Sequence, residues 1–130
     1  MILRRTLFAA FAAFFALALI PAARAVEFQP YEASVVEKAI NAGEPVVVHV
    51  YASWCPVCRA QKTALAALAN DKKFDGIKFF RLDYDGQADI VSALHTPRST
   101  LIVYKGGKEV ARMTGGTSQE DVLKAVQAAY

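Results

Sequence analysis

The sequence predicts an α/β fold in which helices cover both faces of a mixed sheet. Segments with helical and strand patterns alternate along the chain, and two extended segments near the C-terminus are joined by a turn with two glycines. The most apolar strand pattern, residues 46–51, lacks the alternation of a half-exposed strand, which indicates burial on both faces. Directly after it come the two cysteines and an alanine-rich helical pattern.

The predicted elements follow from apolar periodicity and from residues that begin or end helices. Pro30 fits the first turn of a helix, Gly43 ends that helix, and Leu65 and Leu68 lie on one face of the next helix. In chain order the elements are an extended start at 26–29, a helix from Pro30 to about 41, a strand at 46–51, a helix at 59–70, a strand at 77–83, a short helix after 85, strands at 100–104 and 109–114, and a last helix after 117.

Capping residues and glycines define the elements of the C-terminal half. Asp85 can cap the short helix, and Thr117 and Glu120 have the spacing of a capping box for the last helix. Residues 106–107 fit a hairpin turn, and the glycines at 115–116 end the sheet.

The N-terminal segment has the pattern of a secretory signal peptide. Arg4 and Arg5 precede an apolar run at 7–20, Pro21 ends the run, and an Ala-Arg-Ala cleavage motif ends at Ala25. An uncleaved membrane anchor is the competing interpretation, but the run is shorter than the roughly 20 residues that a spanning helix needs. We therefore predict export to the periplasm or secretion, with cleavage near Ala25.

Removal of residues 1–25 would change the charge of the chain. Three of its 15 basic residues lie in that segment, so 12 basic and 12 acidic residues remain. A neutral domain gives no indication of nucleic-acid binding. Residues 26–130 are enough for one small domain with one core.

The two cysteines, Cys55 and Cys58, form a C-x-x-C pair at a strand-to-helix junction. A cysteine at a helix N-terminus is favoured as a thiolate, which attacks disulfides, and the second cysteine then resolves the mixed disulfide. Half of a structural zinc site would need two further ligands, and only His49 and His95 are available. A static disulfide would stabilise little across so short a loop.

Two segments resemble the thioredoxin family. They are residues 52–58, which contain the C-x-x-C pair, and residues 100–108 with the following Gly115, which resemble the family's hairpin. The resemblance covers nearly all of residues 26–130. It implies the thioredoxin fold and a thiol–disulfide oxidoreductase.

By this resemblance Cys55 is the nucleophile, Cys58 is the buried resolving thiol, and Trp54 covers the site and meets the substrate. A half-buried packing role for Trp54 is the alternative. The implied substrates are protein disulfides, with no cofactor beyond the redox-active Cys55–Cys58 disulfide, no metal and no nucleic acid. We expect a monomer.

Two positions depart from the family at its buried ion pair. His49 falls where thioredoxins carry a buried acid, so it is either a proton relay to the second cysteine or a core histidine. Arg81 falls near the family's buried lysine and would hold His49 neutral. Alternatively, Arg81 points into solvent and pairs with Asp83 or Asp85.

A third departure concerns the family's cis-proline, which precedes the hairpin and packs against the disulfide. Ser99 holds that position in an ungapped alignment, and the alternative is that Pro97 is the cis-proline before a longer strand. We favour Ser99, with a trans bond because a non-proline cis bond costs roughly 2.5–4 kcal/mol. Arg98, Ser99 and Gly115 would then form the substrate groove.

The residues between the cysteines bear on the direction of electron flow. Pro56 suits the first helical position, and Val57 offers a thiolate neither charge nor hydrogen bond. The family's strong oxidants carry Pro-His here, so Pro-Val favours a reductant or a mildly oxidising protein, although the charge of Arg59 acts weakly in the opposite sense. A reductant in an oxidising compartment needs an electron source, so a membrane thiol reductase is an implied partner.

The alternative function uses the same cysteines for binding. Loss of the proline ring at Ser99 could open space for a metal or an iron–sulfur cluster beside Cys55 and Cys58, with His49 as a further ligand. That interpretation predicts a carrier rather than an enzyme.

Overall fold

A computed structural model describes residues 27–68 and 71–130 of the chain. The predicted signal peptide therefore lies outside the described residues. Within those two ranges, no helix combines the length and the apolar character needed to cross a bilayer.

In the described part of the chain, five strands form one mixed sheet with the order β1-β3-β2-β4-β5. β1 and β2 pair with β3 in parallel, whereas β4 runs antiparallel to both β2 and β5. This confirms the predicted mixed sheet and places the apolar strand β2 at its centre. The strands are β1 (Phe28–Pro30), β2 (Val46–Tyr51), β3 (Lys78–Asp83), β4 (Thr100–Lys105) and β5 (Lys108–Thr114).

Helices cover both faces of the sheet, as the sequence predicted. They are α1 (Ala33–Asn41), α2 (Pro56–Ala67), α3 (Ala88–Ala93) and α4 (Gln119–Val126), with short 3-10 helices at Lys72–Phe74 and Gln127–Ala129. Val47 of β2 packs in the core with α2 and α4, whereas its neighbours Val46 and Val48 pack in the core with α1 and α3. Because successive residues of a strand point to opposite faces, His49 shares the α2 side with Val47.

The predicted start of the first helix is wrong. Pro30 is the last residue of β1, where it pairs with Arg81, and α1 begins after Glu32. β1 is an edge strand, and an edge position tolerates a proline because its missing N–H would face away from the sheet. Gly43 does end the helix region, since it has a φ of 76° and its N–H bonds to the carbonyl of Ile40.

Two predicted caps are also wrong. The N-cap of α3 is Gln87, not Asp85, and its side chain makes no capping bond. The N-cap of α4 is Ser118, whose hydroxyl accepts from the backbone N–H of Asp121 at 3.0 Å and donates to its carboxylate. The cap therefore lies one residue beyond the predicted Thr117, because a serine hydroxyl caps a helix N-terminus in the same way as a threonine hydroxyl.

The predicted hairpin is confirmed. Gly106 and Gly107 form its two-residue turn with φ values of 58° and 81°, which favour glycine at both positions. The register pairs Thr100 with Thr114 at the far end of the hairpin. This pairing places Gly115 beside Ser99, next to the cysteines.

Candidate active site

The cysteine pair lies where β2 gives way to α2. Cys55 is the N-cap of α2, and its Sγ accepts a hydrogen bond at 3.3 Å from the backbone N–H of Cys58. Pro56 fills the first helical position, where its fixed φ suits the helix and its missing N–H costs nothing. Both cysteines are free thiols, with 2% of Cys55 and none of Cys58 exposed. The C-x-x-C spacing therefore places Sγ of Cys55 at the N-terminus of α2, where it caps the helix.

Ser99 lies against both sulfurs. Its Oγ is 3.1 Å from Sγ of Cys55 and 3.1 Å from Sγ of Cys58. The residues described here contain no cis peptide bond, and β4 begins directly after Ser99. Of the two alternatives for the family's proline, the structure therefore selects Ser99 and excludes Pro97.

The environment of Cys55 favours its thiolate. Burial raises the pKa of this thiol, but hydrogen bonds from Cys58 and Ser99, the Cys58 backbone N–H and Arg98 together lower the pKa to about 6. At neutral pH most of the population then carries the nucleophilic form.

Gln61 on α2 connects the site to the rest of the core, and the sequence interpretation missed it. Its buried Nε2 donates to the carbonyls of Ser99 at 2.8 Å and Gly116 at 3.0 Å, and its Oε1 lies 3.1 Å from Nε2 of His49. The available signal was its position three residues after the buried Cys58, which places a polar side chain on the inward face of an alanine-rich helix.

His49 is fully buried and held in one tautomer. Because Gln61 uses its amide nitrogen for two carbonyls, its oxygen faces His49, so Nε2 of His49 carries the hydrogen. In the described part of the chain, Nδ1 has no hydrogen-bond partner. Burial lowers the pKa of His49 to about 4. The nearby charge of Arg81 acts in the same direction, whereas the hydrogen bond to Gln61 acts to raise the pKa.

The interpretation of His49 as a direct relay is therefore not supported by its contacts. Its hydrogen bond goes to Gln61 and not to either sulfur. Among the residues that the structure describes, Gln61 and the Ser99 carbonyl connect it to the site.

Arg81 lies between two aromatic rings. Its Cζ is 4.6 Å from the ring centroid of Phe28 and 4.7 Å from that of Tyr51. It is also the register partner of His49 across β2 and β3. Among the described residues it forms no ion pair with Asp83 or Asp85, so the alternative of a solvent-facing arginine is wrong, and stacking on the rings replaces a counter-ion.

Trp54 forms the exposed rim of the site. The residue is 54% exposed, its Nε1 donates to Oδ2 of Asp85 at 2.6 Å, and Cζ of Arg98 lies 4.8 Å from its ring centroid. A cleft of about 610 Å³, lined by Asp85 and Pro97 among others, lies beside this rim. Trp54 is thus placed to meet a substrate rather than to fill the core.

Gly115 borders the site from the end of the sheet. Its N–H donates to the Ser99 carbonyl at 2.9 Å, and its φ of 79° is a conformation that glycine adopts without strain. A Cβ here would meet no atom within 4 Å, so the position is open.

The arrangement offers little to a metal ion. No group of three or more His, Cys, Asp or Glu side chains in the described ranges could hold one. The hydroxyl of Ser99 also contacts both sulfurs, in the space that the carrier interpretation requires. The alternative of a metal or cluster carrier is therefore not favoured.

Comparisons with known proteins agree with this geometry. The family model for thioredoxin matches residues 27–128. Thioredoxin-2 of Saccharomyces cerevisiae is 34% identical over 85 residues, which cover 64% of this chain and 80% of the relative. Thioredoxin H-type of Fagopyrum esculentum is 32% identical over 85 residues, covering 65% and 72%.

Solved structures give the same result. The structure of Trxlp from Edwardsiella tarda matches with a TM-score of 0.71 and 33% identity, covering 75% of this chain and 96% of that one. A thioredoxin from Malassezia sympodialis matches with a TM-score of 0.70 at 18% identity, covering 82% and 94%, and supports the fold alone. The chain therefore belongs to the thioredoxin family and is a thiol–disulfide oxidoreductase.

Proposed function

We propose that the chain reduces protein disulfides in the periplasm, with Cys55 as nucleophile and Cys58 as resolving thiol. The observation that carries this proposal is the position of Cys55 at the N-terminus of α2, where hydrogen bonds lower its pKa to about 6. A thiolate in that position is ready to attack without a separate base.

The reaction transfers two electrons from the cysteine pair to the substrate. The Cys55 thiolate attacks one substrate sulfur, the substrate S–S bond breaks, and the other substrate sulfur leaves as a thiolate. Cys58 then attacks Sγ of Cys55, which forms the Cys55–Cys58 disulfide and releases the second substrate thiolate. The thiol proton of Cys58 passes to the departing substrate thiolate, which leaves as a thiol.

The rim of the site supports a protein substrate. Trp54 offers an exposed ring fixed by Asp85, and Arg98 adds a positive charge over that ring. Arg98, Ser99 and Gly115 form the adjoining edge, on which an extended substrate segment would bind through backbone groups. We propose that the protein acts as a monomer, because this edge belongs to a single chain.

Export would place the protein in an oxidising compartment, where a reductant needs an electron-donating partner. The signal-peptide pattern before Ala25 directs the chain to an oxidising space, where a reductant must be recharged. A membrane thiol reductase is the proposed electron donor.

The reduction potential of the Cys55–Cys58 couple tests the direction of electron flow. We expect a value near that of thioredoxin, about −270 mV, because Val57 contributes no stabilising charge to the reduced form. The measurement equilibrates residues 26–130 with glutathione buffers and counts free thiols. A value near about −120 mV would identify an oxidant and overturn the proposed direction.

The N-terminus of the exported protein tests the proposed localisation. We expect the periplasmic fraction to contain a chain that begins at Val26, by intact-mass measurement. The substitution Ala25→Leu should impair cleavage, because signal peptidase needs a small residue at this position, and the uncleaved precursor should accumulate. A chain with its N-terminal segment intact and confined to the cytoplasm would disprove export.

A further inference from the structure

We propose that the hydroxyl of Ser99 is a catalytic group that serves both cysteines in turn. It donates first to the Cys55 thiolate and, once Cys55 is bonded to substrate, to the sulfur of Cys58 as that cysteine becomes the nucleophile. This inference deepens the proposed function and rests on the assignment of Cys55 and Cys58 to those two steps.

The distances place one hydroxyl between two reacting atoms. Oγ of Ser99 is 3.1 Å from each sulfur, within hydrogen-bond range for sulfur, and all three residues are buried. A thiolate at Cys55 can only accept, so the Ser99 O–H must donate to it. The hydroxyl oxygen is then free to accept the S–H of Cys58. Through this hydroxyl the Cys58 thiol can reach the Cys55 thiolate, in addition to its longer contact of 3.9 Å with the Val50 carbonyl.

Once the mixed disulfide has formed, the Ser99 hydroxyl stabilises Cys58 instead of Cys55. Cys55 then carries a bond to the substrate sulfur in place of its charge, and it no longer competes for the hydroxyl proton. Cys58 must lose its proton to attack, and the Ser99 O–H can rotate to donate to the developing Cys58 thiolate. The serine keeps its own proton throughout, and the proton of Cys58 leaves with the released substrate thiol.

The backbone of Ser99 is fixed, so the hydroxyl is held in position. The N–H of Ser99 donates to the carbonyl of Val50 at 2.9 Å, and its carbonyl accepts from Gln61 at 2.8 Å and from Gly115 at 2.9 Å. Its φ is 59°, a conformation that proline cannot adopt and that non-glycine residues adopt rarely. These three bonds hold a strained residue against the sulfurs, which is typical of functional positions.

The other ionisable groups around the sulfurs do not repeat this contact. Arg98 contributes a hydrogen bond that lowers the pKa of Cys55, and Tyr51 and Tyr84 pack against the cysteines. His49 faces Gln61 rather than a sulfur. In the described part of the chain, Ser99 alone bonds both thiols through its side chain.

Two substitutions distinguish the contribution of the Ser99 hydroxyl from that of the backbone conformation. Ser99→Ala removes the hydroxyl and keeps the strain of a Cβ at positive φ, whereas Ser99→Gly removes the hydroxyl and relieves that strain. The matched control is Thr100→Val. It deletes the neighbouring buried hydroxyl, which lies 2.9 Å from Oγ1 of Thr114 and 3.3 Å from the carbonyl of Arg98 and bonds no sulfur.

We expect both Ser99 variants to raise the pKa of the Cys55 thiol by about 1, measured as the pH dependence of iodoacetamide alkylation. Alkylation at about pH 6.5 should fall about threefold in both variants and remain unchanged in Thr100→Val. In single-turnover reduction of a model disulfide, release of the second substrate thiol should also slow at least threefold.

The outcomes separate this inference from the proposed function. If wild-type protein reduces the model disulfide and Ser99→Gly keeps both the wild-type alkylation profile and the wild-type release rate, the catalytic role of the hydroxyl is disproved. An effect in Ser99→Ala that Ser99→Gly does not share would mean that loss of the hydroxyl is not its cause, and it would also overturn the inference. If the wild-type protein itself reduces no disulfide, the proposed function fails, whereas the alkylation profile still tests the Ser99–Cys55 contact.

Discussion

Replacement of Cys55 by serine is expected to reduce disulfide exchange by a factor on the order of 10³ or more, to the uncatalysed background. The thiol of Cys55 has its pKa lowered to about 6 by contacts that a serine hydroxyl would keep, yet an alcohol remains protonated at neutral pH. The substitution is nearly isosteric, so loss of activity would report on the nucleophile and not on the fold. The measurement is the rate of reduction of a model disulfide with a thiol reductant as electron source.

Cys58→Ser is the matched variant, and it should fail at a different step. The nucleophile remains, so the first attack proceeds, but no second thiol releases the substrate. We expect the variant to accumulate a covalent adduct with a protein disulfide, visible by mass under non-reducing conditions and absent in Cys55→Ser. If Cys55→Ser formed adducts through Cys58, the roles of the two cysteines would be the reverse of those assigned here. Full activity in Cys55→Ser would refute the assignment of Cys55 as the nucleophile.

The sequence predicted well those parts of the fold and site that depend on short-range pattern. The apolar strand, the hairpin glycines and the C-x-x-C spacing each have a local physical cause, and the structure agrees with all three. The predicted caps at Asp85 and Thr117 failed for a related reason. Aspartate, serine and threonine can all cap, and packing decides which neighbouring residue reaches the helix end.

The long-range polar network could not be predicted in the same way. Gln61 bonds Ser99 across 38 residues and Gly116 across 55, and nothing in its neighbourhood in sequence identifies those partners. His49 departs from the family pattern and so stands out in the sequence, but the sequence does not identify Gln61 as its partner. The reason is that tertiary packing alone decides which buried polar groups satisfy one another.

His49 should make the stability of the protein depend on acid pH. Its pKa is lowered from 6.5 to about 4 in the folded chain by burial, so the unfolded chain binds a proton in this range that the folded chain does not. The contribution is fully present above about pH 6.5 and is lost as pH falls toward about 4. With about 1.4 kcal/mol per pKa unit, this loss is about 3 kcal/mol. Denaturant unfolding at a series of pH values measures it.

The variant His49→Gln isolates this contribution from the protonation of carboxylates. Glutamine can place an amide N–H near the position of Nε2 and donate to Gln61, but it does not titrate, so the acid-dependent loss should shrink by about 3 kcal/mol. His95→Asn is the control, because His95 is exposed and asparagine tolerates its φ of 48°. If the free energy of unfolding depended on pH equally in wild type and in His49→Gln, the folded chain would protonate His49 as readily as the unfolded chain does. Arg81 would then lie beside a second positive charge in the core, and burial together with the charge of Arg81 would not be keeping His49 neutral.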